Sequence, residues 1–155
     1  MYVELHSRSA FSFLEGASLP ETLIGVCADY GMPAMALLDR NGVYGAPRFH
    51  LAAQKCGMRA HIGAEVTVDD TLFGDSGVAR YPLLAESRAG YQNLCRLITQ
   101  TKLRARKEEG TARMEELEER AAGLVCLTGG DEGPLAEGLL RGGYEEALRT
   151  VERLT

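Results

Sequence analysis

The sequence has no uninterrupted apolar run near the ~20 residues that a membrane-spanning helix requires, so a membrane protein is not expected. Its opening residues, MYVELHSRS, lack a basic start followed by an apolar stretch. A secretory leader is therefore not expected, and the chain is placed in the cytoplasm. Paired cysteines are missing too. Cys27, Cys56, Cys95 and Cys126 form no C-x-x-C motif and each falls in an apolar stretch, so they read as buried free thiols rather than disulfides or a zinc site. Positive charge is in deficit: the net charge of −5 argues against a strong autonomous DNA-binding surface, because duplex affinity rests on neutralising phosphates. The basic cluster TKLRARK, with Lys102, Arg104, Arg106 and Lys107, reads as a solvated helix end in preference to a nucleic-acid contact.

What is present suits one globular domain over residues 1–155, with 45% hydrophobic and 25% charged residues. The informative pattern is a gapless repeat at a step of 26 residues: Cys27 aligns with Ala53, Gly31-Met32 with Gly57-Met58, and Asp39 with Glu65. Each copy ends a helix at a glycine, which closes the helix in the left-handed conformation, and then enters a short apolar strand. Ser18-Leu19-Pro20-Glu21 reads as a capping box with proline in the first turn, and Ala46-Pro47 marks a second helix start. Helices between successive strands imply parallel pairing through right-handed crossovers.

The pattern continues with a strand at RYPLLAE (80–86), a helix burying Tyr91, Leu94, Cys95 and Ile98, and a strand at GLVCLTGG (123–130). Two short helices follow, one around Leu135, Leu139 and Leu140, the other with Tyr144, Ala147, Leu148 and Val151 on one face. The intervening DDTLFGDSGVA reads as a polar loop, and Asp69, Asp70 and Asp75 lack the spacing of a calcium loop.

If Asp39 and Glu65 are equivalent, both stand at the C-terminal ends of parallel strands, and His6 ends the first strand in the same sense. That rim is where parallel α/β folds bind ligands. Three potential metal ligands are thus expected at one mouth, weighed against polar residues that only cap strand ends. His50, within a helix, and His61, within a strand, read as packing or surface residues.

ELHSRSAFSFLEGAS, MALLDRNGVYGAPRF, HIGAEV, LLAESRAGYQNLCRLI and GLVCLTGG resemble, in order and spacing, the amino-terminal PHP (polymerase and histidinol phosphatase) domain of bacterial C-family DNA polymerases. These are the alpha subunits of DNA polymerase III, and FSFLEGAS and LTGG are most similar to the error-prone branch. The resemblance implies a distorted seven-stranded α/β barrel, (βα)7, with mostly parallel strands. In metal-bearing members its mouth holds up to three divalent ions for phosphoester hydrolysis. It also implies that His6 is the first histidine of an H-x-H motif whose second is replaced by Arg8. Asp39 is then the aspartate of a D-H pair whose histidine is replaced by Arg40, and Glu65 the bridging carboxylate. Gly130 falls where many replicative members carry a cysteine.

A guanidinium can neither donate a lone pair nor lose its proton, so two arginines disfavour a metal cluster. Carboxylates left without metal are costly unless paired. Arg8 and Arg40 are therefore expected to pair with Asp39 and Glu65, leaving His6, Asp39 and Glu65 as remnant ligands with no cofactor, or to offer spare donors to a phosphate. The resemblance further implies later strands with an aspartate and a histidine of the site, absent before VERLT. The expectation is a partial barrel of five strands out of about seven, missing its C-terminal strands, with an open edge that invites self-association.

The function expected is that of a PHP domain of an error-prone DNA polymerase III alpha subunit, in DNA replication and repair. Here it would be a non-catalytic structural module whose partners are the remainder of that subunit and, through the full enzyme, DNA. Two alternatives stay open. One is a Zn-, Mn- or Mg-dependent phosphoesterase or 3′–5′ exonuclease using His6, Asp39 and Glu65. The other is a phosphate-binding or interaction module built on Arg8 and Arg40.

Overall fold

The 26-residue repeat is one helix–turn–strand unit used twice. The structure, a computed structural model, describes residues 2–69, 77–106 and 110–154. Strand β1 (Glu4–Ser7) is followed by helix α1 (Pro20–Asp29), strand β2 (Ala34–Arg40), helix α2 (Ala46–Lys55) and strand β3 (Arg59–Asp69). Both helices stop where the repeat places glycine: Gly31 and Gly57 each have φ of 67°, a conformation a side chain disfavours. β1–β2 and β2–β3 pair in parallel, as helical crossovers require.

Strand β4 (Val78–Ala85) reverses direction and pairs antiparallel with β3, since the residues between Asp69 and Val78 are too few for the crossover a parallel pair requires. Helix α3 (Arg88–Arg104), a short strand β5 (Ala112–Arg113) and helix α4 (Met114–Glu118) come next. Strand β6 (Leu124–Cys126) and the kinked helix α5 (Pro134–Leu154) complete the order. Among the described residues the sheet has six strands, ordered β1-β2-β3-β4-β6, with β5 paired to β3. The expected α/β sheet is therefore observed, mostly parallel and with β5 in addition to the five strands expected. No described helix is long and apolar enough to cross a membrane.

Alternation along the strands sends one side of the sheet to the helices. Met35 and Leu37 pack with Ile24, Phe49 and Ala53 of α1 and α2. Further along, Ala64, Val66 and Val68 pack with Leu94, Leu97 and Ile98 of α3. The buried stripe of α3 is Leu94, Leu97, Ile98 and Thr101, at the i, i+3, i+4, i+7 spacing of a helix face. The expected Tyr91 and Cys95 lie at its margin, Tyr91 being exposed, because that face is set one residue further round.

Other expectations shift for local reasons. α1 begins at Pro20 with Leu19 as its cap, and no side chain caps it. Ser18 therefore sits outside the helix, where its carbonyl accepts the Ala10 N–H at 2.8 Å, and the anticipated capping box does not form. α5 is two helices meeting at Gly143, as anticipated, but Tyr144 and Leu148 face outward. Small residues bring the halves together: a Cβ on Gly138 would lie 2.9 Å from Thr150 Oγ1. Ala147 and Thr150 take the buried positions. All four cysteines are free, with Cys27 buried and Cys56 exposed just past the end of α2. Burial pushes the Cys126 thiol up to about 12. The anticipated loop acids Asp70 and Asp75 lie outside the described residues.

A buried acid ties the end of α3 to the start of α4. Glu116 is ion-paired with Arg104, accepts the Arg113 backbone N–H at 2.9 Å and accepts Gln100 Nε2 at 3.0 Å. The Arg104 hydrogen bond, against the opposing effect of burial, holds its carboxyl at about 2, below the ordinary 4.5. A depressed folded-state value means that this stabilisation is complete above about pH 4.5 and fades as pH falls toward 2. Glu116→Gln is expected to cost about 1.5 kcal/mol at neutral pH, a fall in Tm of roughly 3–6 °C. Melting curves should show the gap from the parent protein closing below pH 4.5; a gap that stays constant to pH 2 would contradict this role.

Candidate functional site

The C-terminal ends of β1 and β2 and the middle of β3 carry the residues singled out in the sequence, Glu65 standing four residues before the end of its strand, and the sheet divides them between its faces. In the β2–β3 register, Asp39 stands opposite Ala64 and Arg40 opposite Glu65. The pairing offset is thus 65 − 40 = 25 residues, one fewer than the sequence repeat. Side chains alternate with a period of two, so this single step turns the two acids to opposite faces. Asp39 falls with Met35 and Leu37 on the helix side; its Oδ2 lies near Leu37 and Pro20, where a Cβ on Gly45 would meet all three. Glu65 shares the other face with Arg40. The expected convergence of His6, Asp39 and Glu65 is therefore corrected: His6 and Glu65 meet, and Asp39 does not join them.

Glu65 is almost completely buried, at 2% exposure. Arg8 closes on it with both arms, Nε donating to Oε2 at 2.7 Å and Nη2 donating to Oε1 at 2.8 Å. His6 Nε2 lies 3.3 Å from the same Oε2. This fork is the charge-assisted geometry that a planar guanidinium offers a carboxylate. Burial works against the Arg8 cation, but Glu65 and then Glu15 outweigh it and raise its pKa above the ordinary value.

Asp39, with 1% exposure, has no arginine among its partners. It accepts the Ser9 N–H at 2.7 Å, the Ser9 hydroxyl at 2.8 Å and the Ser12 hydroxyl at 2.8 Å. Three donors replace the water that burial removes, so the anion is solvated by hydroxyls and an amide rather than neutralised. Ser12 Oγ also accepts the Arg40 N–H at 3.0 Å, stitching the loop after β1 onto the end of β2. The expected pairing of Arg40 with Asp39 or Glu65 is accordingly not made.

Arg40 turns to Glu15, donating from Nη1 at 2.7 Å. Arg8 Nη1 reaches the same carboxylate at 3.2 Å, and Arg80, at the start of β4, reaches it from Nη1 and Nη2, both at 3.1 Å. Arg80 also pairs with Glu132 at 2.7 Å. Partial burial alone would raise the Glu15 carboxyl, but Arg80, Arg40 and Arg8 hold it below the usual carboxylate range. Backbone shape brings Glu15 there. Leu14 takes a left-handed φ of 63°, and a Cβ on Gly16 would sit 2.0 Å from the Ser9 carbonyl oxygen. Only glycine permits that approach.

Glu15, Arg80, Ser9, Ser12 and Glu132 were not singled out from the sequence. Glu15 did carry a signal, as the lone acid in the apolar stretch FSFLEGAS, and the two serines stand three apart in a turn. Nothing local marks Arg80 or Glu132, which join through tertiary folding. His50 and His61 are both exposed, away from the buried pair.

A model of the PHP domain matches residues 4–155. The chain belongs to the PHP domain family. Its relatives include an error-prone DNA polymerase of Anaeromyxobacter sp. (strain K), 46% identical over 124 residues, which covers 80% of this chain and 10% of the relative. The DNA polymerase III subunit alpha of Vibrio cholerae is 35% identical over 97% of this chain and 13% of its own length. An error-prone DNA polymerase of Mycobacterium bovis is 38% identical over 99% of this chain and 14% of its own. The chain thus spans between a tenth and a seventh of the length of these curated relatives. Among solved structures, an amidohydrolase from Chromobacterium violaceum superposes with a TM-score of 0.53 at 20% identity, covering 97% of this chain and 54% of that one. A Bifidobacterium adolescentis protein described as a candidate metal-dependent phosphoesterase gives 0.52 at 15%, covering 99% and 55%. These two likenesses bear on the fold.

The divalent ions implied by the PHP fold do not fit these side chains as they stand. Both oxygens of Glu65 are engaged by Arg8, and among the described residues no three of His, Cys, Asp and Glu are grouped to hold an ion. An ion at Glu65 would meet a fixed cation in place of a lone pair.

Removing one partner of the buried pair strands the other charge. Arg8→Met is expected to destabilise the domain by about 3 kcal/mol, whereas the double variant Arg8→Met with Glu65→Leu is expected to recover most of that loss. Urea unfolding of the four members of the double-mutant cycle measures the coupling; additive single effects would show that the pair contributes nothing together.

Proposed function

We propose that this PHP domain serves as a non-catalytic structural module within an error-prone type DNA polymerase III alpha subunit, its metal centre replaced by an arginine–carboxylate network. The observation that carries the reading is the two-armed hold of Arg8 on Glu65, at the position where the family resemblance puts a bridging metal carboxylate. A domain needing a metal to hold its mouth together has here a covalently attached cation in its place. The pair and the Glu15 cluster link β1, β3, β4 and the loop after β1 without any exchangeable ion.

The relatives are much longer polypeptides, which supports the remainder of such a subunit as the partner of this domain. The replication and repair roles carried by those names, and contact with DNA through the full enzyme, belong to the same proposal. Arg40 supports a second, subordinate role. Its guanidinium is partly exposed and has a single arm on Glu15, so spare N–H groups at the rim are available to a phosphate oxygen.

The test is metal content and hydrolysis measured on one preparation purified without chelator. Zinc, manganese and magnesium are expected well below one ion per chain, with no release of p-nitrophenol from p-nitrophenyl phosphate and no shortening of a DNA 3′ end. Stoichiometric metal that disappears in His6→Ala and Glu65→Ala, or hydrolysis abolished by Glu65→Ala, would overturn the structural reading in favour of a phosphoesterase or exonuclease. For the second role, a phosphate-dependent rise in Tm that vanishes in Arg40→Ala is expected; an unchanged Tm would dismiss it.

A further inference from the structure

The acids of this protein are unevenly placed. None of its 22 Asp and Glu residues lies between Arg88 and Arg106, a segment that carries Arg88, Arg96, Lys102, Arg104 and Arg106. That segment is α3 and the two residues after it, so on a chain of net charge −5 one helix bears a single sign of charge over a length of about 25 Å.

The cations divide into two groups. Lys102 lies over the Tyr44 ring, 4.6 Å from its centroid, and Arg104 is consumed by Glu116. Arg88, Arg96 and Arg106 are exposed, and no hydrogen bond or ion pair joins them to any described residue. Arg88 and Arg96 lie along one outward stripe with Gln92, Thr99 and Leu103, at spacings of three and four, opposite the stripe that faces the sheet, and Arg106 follows just past the extended Ala105 that ends the helix. Beside this stripe an open groove runs between α3 and the residues just after α4, lined among the described residues by Cys95, Arg96, Thr99, Gln100, Leu103, Arg104 and Arg120 with no carboxylate. Arg120 enters the groove from the far side, its Nη2 donating to Gln100 Oε1 at 2.5 Å while its buried Nε–H has no acceptor among the described residues.

We propose that this stripe and groove bind the phosphodiester backbone of nucleic acid, independently of base sequence. A row of unpaired guanidiniums without interleaved acids matches the regular spacing of backbone phosphates better than a compact acidic patch on a protein. Arginine forks also suit phosphate oxygens. The surface lies on the outside of α3, apart from the Arg8–Glu65 rim, and the inference does not rest on the structural-module reading. It also revises the sequence-level view of TKLRARK: the residues left free are mainly Arg88, Arg96 and Arg106, of which only the last belongs to that cluster.

The test is fluorescence anisotropy with a fluorescein-labelled 30-base-pair duplex and the corresponding single strand. Binding is expected at 50 mM salt and should fall by about 10²-fold by 200 mM for roughly four duplex phosphates contacted. Arg88→Glu/Arg96→Glu/Arg106→Glu should abolish it, while Lys55→Glu, an exposed reversal on α2, should leave it within about twofold. Melting curves check that each variant folds; if the triple reversal does not, R88Q/R96Q/R106Q should still weaken binding at least tenfold. No binding at 50 mM salt, an equal loss in Lys55→Glu, or displacement by polyglutamate as effective as by unlabelled DNA at matched charge would overturn the proposal.

Discussion

Glu65 is a carboxylate that the sheet buries, and much of the rim follows from the need to pair it. Removed from water, an anion of this kind is tolerable only beside a fixed cation or a set of donors. Arg8 supplies the cation from the end of β1, with His6 at the edge of the same oxygen. Once Arg8 is committed there, its remaining arm points at Glu15, and Glu15 in turn draws Arg40 and Arg80. A loop that would otherwise lie free above the strands is thereby tied to the ends of β1 and β2 and the start of β4. Each bridge taken singly at the exposed edge is worth little. The Glu65 pair differs, because the buried Glu65 cannot return to water without opening the sheet.

Asp39 shows a different solution to the same cost. It is as buried as Glu65 but is held by an amide and two hydroxyls instead of a guanidinium. The two acids descend from equivalent places in a repeated unit, yet a one-residue difference between repeat and register sends them to opposite faces. One ends beneath the loop that follows β1, where backbone and serine donors are at hand; the other is buried on the face away from the helices, where the long side chain of Arg8 can reach it. Equivalence in the chain is thus not equivalence in chemistry.

Cations are used in two ways across the molecule. At the rim, Arg8, Arg40 and Arg80 face Glu15, Glu65 and Glu132, so their charges are largely cancelled within the protein and serve to fasten it. Along α3, the cations outside the Lys102–Tyr44 and Arg104–Glu116 contacts have no such counterparts among the described residues. The same residue type acts as a clamp in one place and leaves an uncompensated field in the other; the difference is the local supply of acids, not the overall charge of the chain.

The helix–turn–strand repeat, its closing glycines and the parallel pairing of β1, β2 and β3 were legible in the sequence, because left-handed glycine and hydrophobic period act over a few neighbouring residues. So were the nearness of His6, Arg8 and Glu65 and the likeness to PHP domains. Which partner each charge would take was not legible. Arg40 belongs to Glu15 rather than to Asp39, and Arg80 and Glu132 enter the network from strands and loops far along the chain. Strand register and the folding of the loop onto the rim are long-range outcomes of packing both sides of the sheet. Local pattern specified the elements and their direction, whereas the assignment of buried charges to partners was decided only when those elements met in space.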